Sequence, residues 1–79
     1  MPLIKHHTVL VDDGLQVSAR SIISGKWSSM VLPITGRRFA EWRDGGVLIQ
    51  DAFPDLTVEQ REFLLTGMSL EEQEEFFDE

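Results

Sequence analysis

Alternation between apolar and polar positions organises the first part of the chain. Residues 8–11 are β-prone and run into Asp12-Asp13-Gly14, where glycine can take the positive φ of a tight turn. Leu15, Val17, Ala19 and Ile23 then share one parity, with Gln16, Ser18 and Arg20 between them, which predicts one buried strand face. Ser24-Gly25-Lys26 punctuates the run. Residues 27–34 follow, with Met30, Leu32 and Ile34 on one side and Trp27 and Val31 on the other. A three-stranded antiparallel meander is the simplest account.

After Pro33 the period changes to that of a helix. Thr35 is placed to N-cap, and Ile34 and Phe39 to close a hydrophobic staple. Phe39 and Trp42 share a helix face, and Asp44-Gly45-Gly46 ends the element. Within residues 47–53, Leu48/Ala52 and Ile49/Phe53 are both i,i+4 pairs, which favours a short helix. Thr57 with Gln60 makes a capping box, and so does Ser69 with Glu72. Between them Gly67 suits a left-handed C′ position, where a Schellman turn would bring Met68 against Phe63. Two helices over 58–66 and 70–77 are expected, joined by an abrupt corner, with Phe63, Leu64, Leu70, Phe76 and Phe77 supplying apolar faces. The fold class is therefore α+β: a small N-terminal antiparallel three-stranded sheet followed by three or four short α-helices. One domain spans 1–79, with a β-rich half (1–34) and a helical acidic half (35–79).

Composition sharpens this picture. The chain has 79 residues and no cysteine, so disulfides and thiolate ligands are excluded, and its 42% hydrophobic content is too high for a disordered chain. No stretch approaches the ~20 apolar residues of a membrane span, and no signal-peptide core is present, so a cytoplasmic location is expected. Charge is lopsided. Residues 1–50 carry six Lys/Arg against four Asp/Glu, whereas residues 51–79 carry one Arg against ten Asp/Glu. Direct binding to a nucleic-acid backbone is disfavoured by that surplus. Part of it has a local reason, because Glu59, Glu71 and Glu72 fall in first helical turns, where carboxylates meet the helix dipole favourably.

Catalytic patterns are missing: there is no Gly-rich phosphate loop, HExxH, G-x-S-x-G or Cys/His pairing. His6 and His7 adjoin on a strand and point to opposite faces, which is poor geometry for one metal ion. Asp12-Asp13-Gly14 lacks the further ligands of a calcium loop. Glu59 and Glu62 share a helix face but read as solvated surface rather than an acid/base pair. A non-enzymatic protein with no cofactor and no metal is expected.

The C-terminal carboxylates remain. Glu71, Glu75 and Asp78 follow i, i+4, i+7 spacing, a stripe with steps of ~5–6 Å, flanked by Glu74 and Glu79. Such a stripe could occupy a Lys/Arg groove built for a nucleic-acid backbone, or simply keep a small apolar domain in solution. Trp27, Trp42, Phe76 and Phe77 are core candidates. Any left outside, Phe77 in particular, would make an interface anchor beside the acids or a homodimer contact.

One longer run carries a resemblance. Leu48-Ile49-Gln50, Phe53-Pro54, Leu56-Thr57, Arg61-Glu62-Phe63-Leu64, Thr66-Gly67-Met68-Ser69 and Glu71-Glu72 together resemble a pattern shared by small reading frames of bacteriophages and other mobile elements. The chain departs from it at Gln73, where many such frames carry Trp. The resemblance implies phage or mobile-element origin, and the small acidic cysteine-free proteins of that source include anti-CRISPR inhibitors. It thus implies an inhibitor of a type I CRISPR effector in the host cell, one that covers a Lys/Arg-rich DNA-binding surface. Glu71, Glu74, Glu75, Asp78, Glu79 and Phe77 are the expected contact residues. The alternatives are a phage structural or assembly component, and an antitoxin-like regulator acting by protein–protein contact.

Overall fold

Short-range pairing dictates the order of elements. In the computed structural model, which describes residues 4–77 and side chains through Phe76, the chain runs β1 (His6–Val11), β2 (Gly14–Arg20), β3 (Trp27–Leu32), α1 (Gly36–Gly45), α2 (Ile49–Ala52), α3 (Val58–Thr66) and α4 (Leu70–Phe77). The strands form one antiparallel sheet in the order β1-β2-β3. Asp12 and Asp13 are the whole loop of the first hairpin, since Val11 pairs with Gly14. Gly14 takes φ 147°, and a Cβ there would run into the Leu32 carbonyl oxygen.

Parity places the core as the alternation requires. Leu15, Val17 and Ala19 are buried on one face of β2, and Leu32 of β3 pairs with Leu15. Trp27 and Val31 lie on the opposite, solvent-facing side, 51% and 45% exposed. One expectation changes and one holds. The first strand includes His6 and His7 as expected, His6 pairing with Ala19 and His7 with Ser18. Ile23 does not continue the buried parity; β2 stops at Arg20 and Ile23 is exposed. Ser21 is the cause. Its Oγ accepts the N–H groups of Ile23 and Ser24 at 3.1 and 3.2 Å, which bends the chain out of the sheet.

The helices cover the apolar face. Thr35 caps α1 through the Arg38 N–H, and Ile34 and Phe39 are both buried as the staple requires. Phe39 and Trp42 enter the core edge-to-face with centroids 5.8 Å apart, and Phe53 meets Trp42 at the same distance. Phe53 and Phe63 are wholly buried, each contributing about 1.5–3 kcal/mol through lost apolar exposure. The sheet, α1, α2 and α3 share this hydrophobic cluster.

Candidate functional site

The acidic C-terminal helix is held in place by bonds that originate elsewhere in the chain. Thr57 and Gln60 form the expected capping box at the start of α3. At its end Gly67 is left-handed with φ 75°, but its N–H donates to the Phe63 carbonyl at 2.7 Å. That is the simple αL cap rather than a Schellman turn. The Met68 N–H goes instead to Thr66 Oγ1 at 3.2 Å, and Met68 is buried. Gly67 also lies against the β2–β3 connection, where a Cβ would strike the Arg20 carbonyl oxygen. Next to it the Ile22 N–H donates to the Thr66 carbonyl at 3.0 Å. The corner between α3 and α4 and the loop after β2 are therefore docked backbone to backbone.

Glu72 extends that docking. Its N–H donates to Ser69 Oγ at 3.2 Å, which is half of the capping box. Its carboxylate turns to the hydroxyls of Ser24 first and Ser21 second, which hold it below the ordinary carboxylate range, with the Ser69 backbone and Lys26 adding lesser support. Its Oε1 is shut away from solvent with no partner of its own. Glu72 thus turns toward the loop at the base of the sheet-side cleft. Gln73 fastens the other side, buried, with Nε2 donating to the carbonyls of Glu59 and Met68, each at 3.0 Å.

The remaining acids of α4 project outward. Successive helical residues turn by about 100°, so Glu71, Glu74 and Glu75 share an arc of about 100°. All three are exposed, and α4 has no basic residue in its last turn. Together they form a ridge between two clefts. On the sheet side, a cleft of about 520 Å³ takes in Glu71, Glu72, Glu75 and Phe76 from α4, and Ile23, Ser24, Lys26 and Trp27 from across it. On the other side, Glu74 faces α3 across a second cleft of about 600 Å³.

The expected contact residues divide accordingly. Glu71 and Glu75 share the sheet-side cleft, while Glu74 belongs to the other flank of the ridge. Phe77 closes α4 as backbone, but its side chain, with Asp78 and Glu79, lies outside the described residues. Leu70 and Phe76 do not supply a buried face as expected; they are 53% and 57% exposed, because Gln73 and Met68 take the inward positions. Trp42 is core, whereas Trp27 lines the cleft with Phe76. That pairing joins positions 49 residues apart in sequence, and only the docked loop brings them together.

His6 and His7 do face opposite ways: His6 contacts Phe39 and Trp42, and His7 lies tilted against Trp27 with ring centroids 5.1 Å apart. Among the described residues, no group of three or more His, Asp or Glu could hold a metal ion, and no helix is long and apolar enough to cross a membrane. Comparison with known protein families, curated proteins and solved structures finds no match to this chain.

Proposed function

We propose that the protein is a non-enzymatic, phage- or mobile-element-derived inhibitor that sets the acidic ridge of α4 against a Lys/Arg-rich surface of a nucleic-acid-binding complex. A type I CRISPR effector is the target class, following the resemblance in residues 48–72. Glu71, Glu74 and Glu75 stand in for backbone phosphates, and target DNA is excluded because its docking surface is occupied. The observation that carries this reading is three exposed carboxylates within one sector of a helix that Gln73 fastens to α3 and whose entry corner is docked by the Ile22–Thr66 backbone bond. A ridge fixed in this way gives up little backbone freedom on binding, unlike the same charges on a loose tail.

The test is DNA binding by a purified type I effector, read by fluorescence anisotropy with and without the protein. Wild type should suppress binding, and the suppression should fall steeply between about 50 and about 300 mM salt. The triple reversal Glu71→Lys, Glu74→Lys, Glu75→Lys should restore DNA binding while leaving the circular dichroism spectrum unchanged. Undiminished inhibition by the reversed protein would exclude phosphate mimicry.

A second reading has its own support. Val9, Trp27 and Val31 leave an apolar patch on the solvent face of the sheet, and Leu10 on the edge strand β1 is 78% exposed. An assembly component would use that face, and its association, followed by light scattering, would change little with salt.

A further inference from the structure

Two exposed aliphatic side chains sit in the cleft between α3 and α4, Val58 at 67% and Leu70 at 53% exposure. Carboxylates surround them: Glu59 and Glu62 from α3 and Glu74 from α4. No Lys or Arg is among the described residues lining the cleft, and neither ion pair seen among the described residues, Arg37–Glu41 or Arg38–Asp55, involves these acids. Gln73 completes the lining, with its amide already engaged to the backbone of Glu59 and Met68. An apolar floor ringed by uncompensated negative charge is complementary to an aliphatic side chain flanked by cations.

We infer that this cleft is a docking slot for a basic amphipathic helix of a partner protein, with an aliphatic side chain seated on Val58 and Leu70 and Lys or Arg reaching Glu59, Glu62 and Glu74. The inference rests on the inhibitor reading only in giving α4 a basic partner; it shares Glu74 with the ridge, while Val58, Leu70, Glu59 and Glu62 belong to the slot alone. A helix is the conformation that fits. The flanks of α3 and α4 have their backbone groups committed within each helix, so an extended peptide laid between them would leave its own N–H and C=O groups unpaired on that side. A helix arrives with its backbone satisfied, and its side-chain ridge fits the groove between two others. The lining spans residues 58–62 of α3 and 70–74 of α4, about 6 Å along each, roughly one turn of a docked helix. Two anchors one turn apart, at i and i+3, seat on that length, and a further apolar residue at i+7 continues the same face.

The test is a titration of the full isotope-labelled chain, followed by amide shifts, with an amidated peptide of about 14 residues carrying Leu at i, i+3 and i+7 and Lys at the flanking positions. A control peptide has the same composition, scrambled so that no face is apolar. Shifts should centre on Val58, Leu70 and Gln73, and the control should bind about tenfold more weakly or worse. Leu70→Ser and Val58→Ser, both at exposed positions, should weaken binding to the same degree with unchanged circular dichroism. Glu71→Gln with Glu75→Gln, which line the other cleft, should leave it within about threefold at about 150 mM salt. Equal binding of both peptides, or shifts centred on Trp27 and Phe76, would overturn the slot. Failure of the slot with DNA exclusion intact leaves the inhibitor reading standing, and a working slot without DNA exclusion does the reverse.

Discussion

The imidazole Nε2 of His6 lies 2.7 Å from the carbonyl oxygen of Leu64, tying the edge strand β1 to α3. The other ring nitrogen, Nδ1, meets the guanidinium of Arg43, which also donates to the Ile4 carbonyl at 2.7 Å. Only the neutral Nε2–H tautomer satisfies both sides, donating to Leu64 and accepting from Arg43. A second proton would sit on Nδ1, facing a cation.

That geometry makes stability depend on pH in a defined window. Burial foremost lowers the His6 pKa below the ordinary 6.5, Arg43 lowers it further, and the Leu64 carbonyl opposes both. The unfolded chain therefore binds more protons than the folded one between the lowered value and 6.5. The contribution of neutral His6 is complete above that range and is lost as pH falls through it. Unfolding free energy from urea titrations should rise with pH up to about 6.5 and then level off. His6→Gln should flatten that segment, and an unaltered slope would remove His6 as its source. Asp55 and Glu72 act lower down. Arg38 and the Ser24 and Ser21 hydroxyls respectively hold their carboxyls below 3.8 and 4.5, so their contributions disappear only in more acidic solution.

Gly67 and Gly46 both cap helices in the left-handed region, at φ 75° and 71°, yet only one is crowded. Around Gly46 a Cβ would meet nothing within 4 Å, whereas at Gly67 it would enter the Arg20 carbonyl. Gly46→Ala should cost about 1 kcal/mol, the ordinary penalty for that backbone region. Gly67→Ala should cost about 2–4 kcal/mol, because the loop after β2 must also lift away. Thermal melts of the two variants compare the terms directly. Equal losses would mean that the close approach has no energetic weight.

Local signals explain why so much of the fold was legible. Thr35, Thr57 and Ser69 cap because their side chains reach backbone three residues on, and Leu15, Val17 and Leu32 are buried because strand parity leaves no other face. What escaped depends on contacts distant in sequence. Ile23 continued the alternation on paper, but Ser21 turned the chain so that Ile22 could reach Thr66. The exposure of Glu71, Glu74 and Glu75 followed from their charge. The companionship of Trp27 with Phe76 did not, since it exists only through the docking of that loop. Gln73 carried no such signal, because a lone glutamine among glutamates reads as surface, whereas it is buried with its amide bonded to the backbone of Glu59 and Met68.

Gln73 also tests how firmly the ridge is held. Gln73→Met keeps the side-chain length and loses both donations, to Glu59 and to Met68. A loss of about 1–3 kcal/mol is expected, mainly from the buried carbonyl of Met68 left without its donor. Hydrogen exchange should locate the effect, with faster exchange across α4 and little change in β2. Uniform acceleration over the whole chain would show that α4 does not open separately from the rest.

The two tryptophans supply the last contrast. Trp42 is 4% exposed and packed edge-to-face against Phe39 and Phe53, so Trp42→Ala should cost about 3–5 kcal/mol and leave little folded protein at ambient temperature. Trp27 is 51% exposed, with His7 as its ring neighbour, so Trp27→Phe should alter the melt by no more than about 2 °C. Fluorescence separates them without a partner. Wild-type emission should contain a long-wavelength component from Trp27, and Trp27→Phe should remove it, leaving the short-wavelength emission of buried Trp42. Because Trp27 shares its cleft with Glu71, Glu75 and Phe76, that component should also respond when a basic ligand occupies the sheet side of α4. A ligand that binds while leaving it unchanged would be sitting elsewhere, and the cleft between α3 and α4 is where the titration should then look.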